Sequence, residues 1–343
     1  MNLEALPVPV SVKPMLGRLV RELPEGDFLF EPKWDGFRCL AFRAGSEVDL
    51  RSRHGRPLAR YFPEVVEAVR SLDPDALVLD GELVLADPAR DDFGVLMSRL
   101  HPAASRVELL RAESPAAMIA FDLLAVEAGD LMPREFRERR AALERALGAE
   151  GSVEITPLTT DHEVARGWLE RPPRAGVDGL MAKDPAAPYR PGARAMVKVK
   201  LERTLDCVVG GFRVFEDMAL ASLLLALYDE RGELEHIGVA SSFSEGQRGE
   251  LVADLAPHVT QLAGHPWEHG FLTGGAPMGR LPGAAGRWTP DMALDWIPTR
   301  PELACEVTFD HLDGRRLRHP ARFRRWRPDR EPRSCTFAQI EPR

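Results

Sequence analysis

The sequence of 343 residues lacks long apolar runs and paired cysteines. Its apolar stretches, such as 220–228, are far shorter than the roughly 20 residues that a membrane-spanning helix needs. The four cysteines include no C-x-x-C pair, so neither a zinc knuckle nor a disulfide framework is indicated. We therefore expect a cytoplasmic protein with reduced thiols and no contact with a membrane.

Motifs of the commonest enzyme classes are also missing. The chain has no G-x-S-x-G, no P-loop and no G-x-G-x-x-G, which removes the usual hydrolase, NTPase and dinucleotide-binding interpretations. With 44% hydrophobic and 29% charged residues, the composition is that of an ordinary folded protein, and the length predicts two domains. His265 and His269 have a spacing of four, but a proline between them and the lack of further ligands argue against zinc.

Lysine is scarce. Of the 45 basic residues, five are lysine and the other 40 are arginine. Where arginine supplies ordinary positive charge, a retained lysine marks a position that needs a compact ammonium or an amine that can lose its proton. Lys13 can be a chance survivor, whereas Lys33, Lys183, Lys198 and Lys200 lie inside the motifs described below.

The net charge of −8 hides a strongly basic region. Residues 315–333, called the basic segment from here on, contain nine arginines against two carboxylates, Asp329 and Glu331. Phe323 and Trp326 are interleaved with these arginines. This combination favours a surface that contacts nucleic-acid phosphates over a solvated tail.

Two sequence patterns divide the chain near residue 202. The first half predicts mixed helix and strand, with strands at 29–30 and 37–42 around a charged loop at 32–36, and a short helix at 15–21. The second half predicts short strands, among them 207–212 and 303–309, and one helix at 245–255, which is typical of a small β-barrel. Gly210 and Gly211 are interpreted as a strand bulge, and 266–298 as a long loop.

The segment EPKWDGFR at 31–38 carries the pattern K-x-D-G-x-R. It places an amine, a carboxylate and a guanidinium around one tight turn. Alone, the pattern is equally compatible with a charged hairpin that holds a surface ion pair.

Further charged segments follow in order: D-G-E at 80–82, F-D at 121–122, D-G-L-M-A-K at 178–183 and M-V-K-V-K at 196–200. Because successive side chains of a strand alternate, Lys198 and Lys200 share one face, and two adjacent cations favour an anion between them. A triphosphate supplies that anion, and the carboxylates Glu82 and Asp178 can hold the accompanying divalent cation. Positive charge around Lys33 would favour the neutral amine, which can attack phosphorus.

This ordered series resembles the nucleotidyltransferase motifs of covalent ligases and capping enzymes. From about residue 14 to its end, the chain resembles the small stand-alone ATP-dependent DNA ligases of the bacterial C type. The resemblance implies an α+β fold, with an ATP-grasp-like adenylation (nucleotidyltransferase) domain at 1–202 followed by an OB-fold β-barrel at 203–343. It also implies that ATP, with Mg²⁺ or Mn²⁺, adenylylates Lys33, that AMP passes to the 5′-phosphate of a nick, and that the 3′-hydroxyl displaces it.

The same resemblance implies roles for individual residues. Glu31 would help to read the adenine, Phe121 would stack on it, and Glu82 and Asp178 would be metal ligands, with the ribose hydroxyl as the alternative for Glu82. Arg327 and Asp329 match a last motif, R-x-D-K, that acts catalytically in self-adenylation, with arginine in place of its lysine. Further contacts to the nucleotide would come from Arg38, Arg53, Lys183, Arg194, Lys198 and Lys200.

The expected partner is nicked duplex DNA, sealed in DNA repair by a monomer that works with repair polymerases or nucleases at the nucleoid. Three alternatives stay open. RNA joining or capping-type guanylyl transfer would also use Lys33, a nick-binding module would keep the fold without the chemistry, and an unrelated α/β metabolic enzyme would make the ordered motifs a coincidence.

Overall fold

The computed structural model describes residues 2–89, 93–100, 103–127, 129–148, 152–200, 203–273, 276–277, 296–310 and 312–340. The chain divides into two units, Met1–Leu201 and Glu202–Arg343, each of which is described by itself. Within the described residues, no helix is both long enough and apolar enough to cross a membrane.

The first unit is built from two sheets and their covering helices. Its strands are β1 (Gly17–Val20), β2 (Leu29–Trp34), β3 (Phe37–Ala44), β4 (Glu47–Ser52), β5 (Ala76–Leu85), β6 (Ala116–Val126), β7 (Gly129–Asp130), β8 (Glu154–Ile155), β9 (Val177–Lys183) and β10 (Met196–Lys200). Its helices are α1 (Pro63–Arg70), α2 (Phe93–Ser98), α3 (Ala104–Glu113), α4 (Phe136–Leu147) and α5 (His162–Glu170). The strand order is β1-β10-β9-β2 in one sheet and β4-β3-β5-β6-β7 in the other, with β8 beside β6.

The turn Asp35-Gly36 carries the chain from one sheet to the other. Pairing with β9 keeps Pro32 and Trp34 within β2, so the predicted loop at 32–36 is wrong for its first three residues. Proline is tolerated there because β2 is an edge strand. Glycine is needed at position 36, since a Cβ would lie 2.0 Å from the carbonyl oxygen of Leu83. The switch between sheets therefore places Lys33 near the end of a strand.

Strand β1 replaces the helix predicted at 15–21. Its Gly17 pairs with Met196 of β10 in parallel register, and the backbone of Leu16 bonds to that of Ala193 and Met196. Tertiary pairing overrides a local helical pattern that Gly17 already weakens.

Helices α1 and α4 cover the sheet that contains β5 and β6. Helix α1 begins at Pro63, whose fixed φ suits the first helical position, and it buries Val65 and Val69. Helix α4 adds Leu143 and Leu147 to the same apolar cluster. This packing fixes the strands that carry the D-G-E and F-D motifs.

The second unit is a curled sheet with one α-helix among its described residues. Its strands are β11 (Arg203–Val214), β12 (Leu220–Tyr228), β13 (Leu234–Ala240), β14 (Leu272–Thr273), β15 (Ala276–Pro277), β16 (Ile297–Phe309), β17 (Leu312–Asp313), β18 (Arg316–Leu317) and β19 (Arg322–Trp326), and α6 spans Glu245–Leu255. The main sheet has the order β13-β12-β11-β16-β19, and a bridge from Ala240 to Ala321 joins its two edges. The predicted barrel is confirmed, and α6 has the predicted bounds, set by a capping box between Ser244 and Gln247.

A bulge in β11 accommodates two tryptophans. The register shifts between Val209 and Gly211, as the Gly-Gly pair predicts. A Cβ at Gly210 would lie 2.4 Å from the ring of Trp267, and one at Gly211 would lie 2.5 Å from Trp296. The loop predicted at 266–298 is irregular at its start, where the Trp267 side chain is nevertheless buried in the core. The prediction is wrong at 272–273 and 276–277, which form β14 and β15, and at its end, where β16 begins at Ile297. Residues 274–275 and 278–295 of that loop lie outside the described residues.

Candidate functional site: a basic cavity in the first unit

A cavity of about 490 Å³ opens between residues of the two sheets of the first unit. Strands β2, β9 and β10 contribute to one side, and β3, β5 and β6 contribute to the other. Its apolar lining includes Leu16, Met181 and Met196. Its charged lining residues are Arg18, Glu31, Lys33, Arg38, Arg53, Glu82, Lys183, Arg194 and Lys198. Positive charge therefore dominates a pocket that also has an apolar wall.

Lys33 is held at the cavity by an ion pair with Asp178. Its Nζ donates a hydrogen bond of 2.6 Å to Asp178 Oδ1. The other oxygen of Asp178 lies 3.1 Å from Lys200 Nζ. Burial alone would raise the pKa of the Asp178 carboxyl, but the two ammonium groups lower it below its ordinary value. Asp178 is therefore ionised and lies between two of the predicted lysines.

Strand β10 has the alternation that its sequence predicts. Val197 and Val199 are buried, whereas Lys198 and Lys200 are partly exposed. Lys200 pairs with Asp178, but Lys198 lines the cavity and has no ion pair with any described residue. Burial lowers the pKa of Lys198, and the charges of Lys33, Lys200 and Arg53 lower it further. Lys198 therefore supplies a cationic site that an anion would stabilise.

Glu31 and Lys183 form a buried pair beside Phe121. Lys183 Nζ lies 2.7 Å from Glu31 Oε2 and donates to the carbonyl oxygen of Phe121 at 3.1 Å. The same ammonium lies over the Phe121 ring, 4.9 Å from its centroid. Both charged side chains are at most 4% exposed, so their charges are stabilised by each other rather than by water.

Arg38 also lies against Phe121, but it is not free. Its guanidinium lies 4.5 Å from the ring centroid and donates two hydrogen bonds, of 2.6 and 2.7 Å, to Asp80. Tyr189 donates a third hydrogen bond to Asp80 at 2.6 Å. Asp80 is fully buried, so this network fixes the plane of Arg38 at the cavity wall.

Glu82 lies on β5 at the same wall. Loss of contact with water raises the pKa of its carboxyl to about 7, although Arg38 and Lys33 act in the opposite direction. A bound cation would favour the ionised form. The Glu82 carboxyl can therefore change between its neutral and its ionised form near pH 7.

The other predicted site residues belong partly to the first unit and partly to the second. Arg53 and Arg194 line the cavity, and neither has an ion pair with a described residue. Arg327 and Asp329 belong to the second unit, where Arg327 donates to Asp329 at 2.8 Å and to Asp206 at 2.7 Å. Hydrogen bonds from Arg327 lower the pKa of Asp329 to about 2.

Much of the positive charge of the basic segment is matched by carboxylates from elsewhere in the second unit. Arg325 lies 2.7 Å from Glu306, and Arg315 lies 3.0 Å from Glu235. Asp206 pairs with Arg327. Counting arginines in the sequence therefore overstates the charge available for phosphates.

Several residues of the cavity were not predicted from the sequence. Asp80 was recognised as a carboxylate in a buried strand, but its role as the partner of Arg38 depends on strand pairing. Met181 and Met196 form part of the apolar wall, and the signal for them is their spacing of two from Lys183 and Lys198, which puts each pair on one face of β9 or β10.

Comparisons with known proteins show the family of the chain. The family model described as the ATP dependent DNA ligase domain matches residues 10–200, and that of the ATP dependent DNA ligase C terminal region matches 216–330. The chain belongs to the ATP-dependent DNA ligases. It is 47% identical to DNA ligase C2 of Mycolicibacterium smegmatis, over 98% of this chain and 96% of that protein. It is 45% identical to DNA ligase C of Mycobacterium tuberculosis, over 98% and 95%.

Solved structures support the fold. A Lig E DNA ligase, 17% identical, aligns with a TM-score of 0.52 over 91% of this chain and 99% of that one. The predicted fold class, a nucleotidyltransferase domain followed by an OB-fold domain, is confirmed. The enzyme is a DNA ligase that uses ATP and a divalent cation to seal nicks.

The residues of the cavity fit a divalent cation that would be bound jointly by protein carboxylates and by phosphates of the nucleotide. Among the described residues, no group of three or more His, Cys, Asp or Glu side chains is arranged to hold a metal alone. Mg²⁺ is commonly bound by one or two carboxylates together with phosphates and water. The residues that would hold the ion here are Glu82 and Asp178. The Asp178 carboxyl is ionised, and a bound cation would lower the raised pKa of the Glu82 carboxyl.

Proposed function

We propose that Lys33 is the nucleophile through which this ligase takes AMP from ATP. The observation that carries the proposal is the position of Lys33 near the end of β2, in a cavity with an unpaired Lys198 and the Phe121 ring. A lysine amine becomes nucleophilic only after it loses its proton. Asp178, 2.6 Å away, stabilises the ammonium before reaction and is the nearest acceptor for that proton.

The chemistry comprises three displacements at phosphorus. The neutral amine of Lys33 forms a P–N bond to the α-phosphate, and the bond to pyrophosphate breaks. The 5′-phosphate of the nick then attacks, the P–N bond breaks, and the amine regains a proton. Finally, the 3′-hydroxyl forms the phosphodiester bond, loses its proton and releases AMP.

Some residues of the cavity contact the adenine base, and others contact the phosphates. Glu31 and Phe121 contact the adenine, with Lys183 holding Glu31. Lys198 and Lys200 stabilise the α-phosphate, because charge develops there in the transition state. Contacts to the ribose, the phosphates or the nick come from Arg38, Arg53 and Arg194.

Glu82 and Asp178 hold Mg²⁺ or Mn²⁺ when it is bound, and the ion neutralises charge on the phosphates. Before the ion binds, Lys33 and Lys200 neutralise Asp178. Binding would therefore compete with these ion pairs.

The remaining assignments are also proposals. The adenylation domain comprises residues 1–202 and the OB-fold domain 203–343. Arg327 and Asp329 act in self-adenylation, and the basic segment contacts DNA. The protein works as a monomer in repair at the bacterial nucleoid in the cytoplasm, with a repair polymerase or nuclease as partner. The names of the relatives, DNA ligase C and C2, support DNA as the substrate.

Sealing assays on three substrates test the proposal. The unmodified protein should join nicked DNA with ATP, and Lys33→Ala should fail on that nick. Lys33→Ala should still seal a nick that already carries 5′-AMP, because this substrate bypasses the lysine. Joining of the ordinary nick by Lys33→Ala would refute the assignment. A preference for an RNA duplex, or for GTP over ATP, would instead support the end-joining or capping alternatives.

A further inference from the structure

The buried carboxylate of Glu31 has a second cation beside it. Glu31 is 2% exposed, and its Oε2 pairs with Lys183. Its Oε1 lies 3.5 Å from Arg140 Nη1 and has no hydrogen-bond partner among the residues that the structure describes. Three elements, β2, β9 and α4, therefore converge on one carboxylate at the wall of the cavity.

Arg140 is fixed independently of Glu31. Its Nε donates to Glu144 Oε1 at 2.7 Å, and its Nη2 donates to the carbonyl oxygen of Thr156 at 2.9 Å. The Thr156 side chain in turn accepts a hydrogen bond of 2.9 Å from Trp34, the residue after Lys33. With two of its nitrogens held, the guanidinium has its third nitrogen beside Glu31.

The charges around Glu31 oppose one another. Burial raises the pKa of its carboxyl above the ordinary value, and Lys183 and Arg140 limit that rise. Asp122 on β6 acts with burial, and its charge is countered by Arg139 at 2.8 Å. Loss of either cation beside Glu31 would favour the protonated carboxyl.

The ionisation of Glu31 bears on which base can bind. A carboxylate accepts hydrogen bonds and cannot donate them. Adenine presents an amino group at C6, which donates, whereas guanine presents a carbonyl oxygen, which only accepts. An ionised Glu31 would therefore attract adenine and repel guanine at that position.

We propose that Arg140 is a positioning residue that holds the carboxylate of Glu31 towards the amino group of adenine and thereby selects ATP over GTP. This inference rests on the proposed function, in which Glu31 faces the base. It assigns Arg140 no contact with the nucleotide.

Arg140→Met tests the inference, because it keeps much of the bulk and removes the charge. Self-adenylylation would be followed by intact mass with ATP and with GTP, between pH 6 and 8.5. We expect KM for ATP to rise about tenfold with a smaller change in maximal rate, and the ratio of ATP to GTP use to fall by a similar factor. The rise in KM should be steeper at low pH, because loss of the Arg140 charge favours the protonated carboxyl. Arg140→Lys should restore part of the selectivity.

A matched control is Arg99→Met, which removes another buried arginine that pairs with Glu64 outside the cavity. It should lower the melting temperature and leave the ATP-to-GTP ratio unchanged. If Arg140→Met does not fold, Glu31→Gln gives the second test, since its amide can donate to guanine. The inference would be overturned if Arg140→Met folds and keeps both the ATP-to-GTP ratio and the pH dependence of KM for ATP. The same result for Glu31→Gln would overturn it where Arg140→Met does not fold. Absence of any AMP adduct on the unmodified protein would instead overturn the proposed function.

Discussion

The cavity of the first unit and the basic segment of the second differ in how their positive charges are paired. In the cavity, Arg53, Arg194 and Lys198 have no ion pair with a described residue. In the basic segment, Arg325 is paired with Glu306 of β16, and Arg327 is paired with Asp206 of β11. Unpaired cations in a concave site are arranged for an incoming anion, whereas paired ones are partly neutralised. The number of basic residues alone therefore does not show where cations are available to an anion; their pairing with carboxylates does.

The largest contrast should come from removing one cation in each region. Lys198→Ala should slow self-adenylylation by about 10²-fold or more, because it removes a charge aimed at the reacting phosphate. Arg325→Ala should leave that rate within about twofold, since its charge is already matched by Glu306. Quenched-flow measurement of the AMP adduct compares the two, and equal losses would contradict the distinction.

Glu82 makes the cavity sensitive to pH in the neutral range. Its pKa of about 7 means that the carboxyl loses its charge as the pH falls below 7. A metal ligand must be deprotonated, so apparent Mg²⁺ affinity should weaken by up to about tenfold per pH unit below 7. Titration of Mg²⁺ at pH 6, 7 and 8 measures this, after pyrophosphate has removed any bound AMP. Glu82→Gln should bind Mg²⁺ weakly at every pH. If the Mg²⁺ affinity of this variant depends on pH as in the unmodified protein, Glu82 is not the metal ligand.

Acid should affect the second unit through stability rather than through ligand binding. His236 is fully buried, and burial, with Arg316 and Arg213, lowers its pKa to about 3. Because the unfolded chain binds this proton below about pH 6.5 and the folded chain does not, stability should fall as the pH drops through this window. His236 should therefore lower the free energy of unfolding by about 1.4 kcal/mol for each pH unit of acidification in this range. Hydrogen exchange of the β12 and β13 amides at pH 7 and pH 5 measures this loss of stability. In His236→Phe, the loss between the two pH values should be smaller than in the unmodified protein. An equal loss in both proteins would show that it does not arise from His236.

The smallest effect concerns individual arginines of β19. Arg322 has no ion pair with a described residue, whereas Arg325 pairs with Glu306. If Arg322 contacts DNA, Arg322→Ala should reduce the slope of log K against log salt concentration by about one. Arg325→Ala should change the slope less, because the net charge it contributes is smaller. Fluorescence anisotropy with nicked DNA at several salt concentrations compares them, and the reverse order would show that pairing does not govern DNA contact.

Local sequence was sufficient for the features whose determinants are adjacent. The K-x-D-G-x-R motif predicted the turn and its lysine because Asp35 and Gly36 directly follow the strand. Helix α6 was predicted with its observed bounds because Ser244 and Gln247 cap it. The period of two in β10 placed Lys198 and Lys200 on one face.

Partners from distant strands could not be predicted. Arg38 pairs with Asp80, and Arg325 with Glu306, only because strand register brings them together. Helix α3 was missed because its apolar residues do not concentrate on one face. The edge strand β1 was taken for a helix because its pairing with β10, far along the chain, is not visible locally.

Intact mass spectrometry after incubation with Mg²⁺ and either ATP or GTP tests the central claim most directly. The unmodified protein, first stripped with pyrophosphate, is compared with Lys33→Arg, which keeps the positive charge. We predict an AMP adduct on the unmodified protein from ATP and none on Lys33→Arg, because a guanidinium does not lose its proton to become a nucleophile. An AMP adduct on Lys33→Arg, or none on the unmodified protein, would contradict covalent catalysis by Lys33.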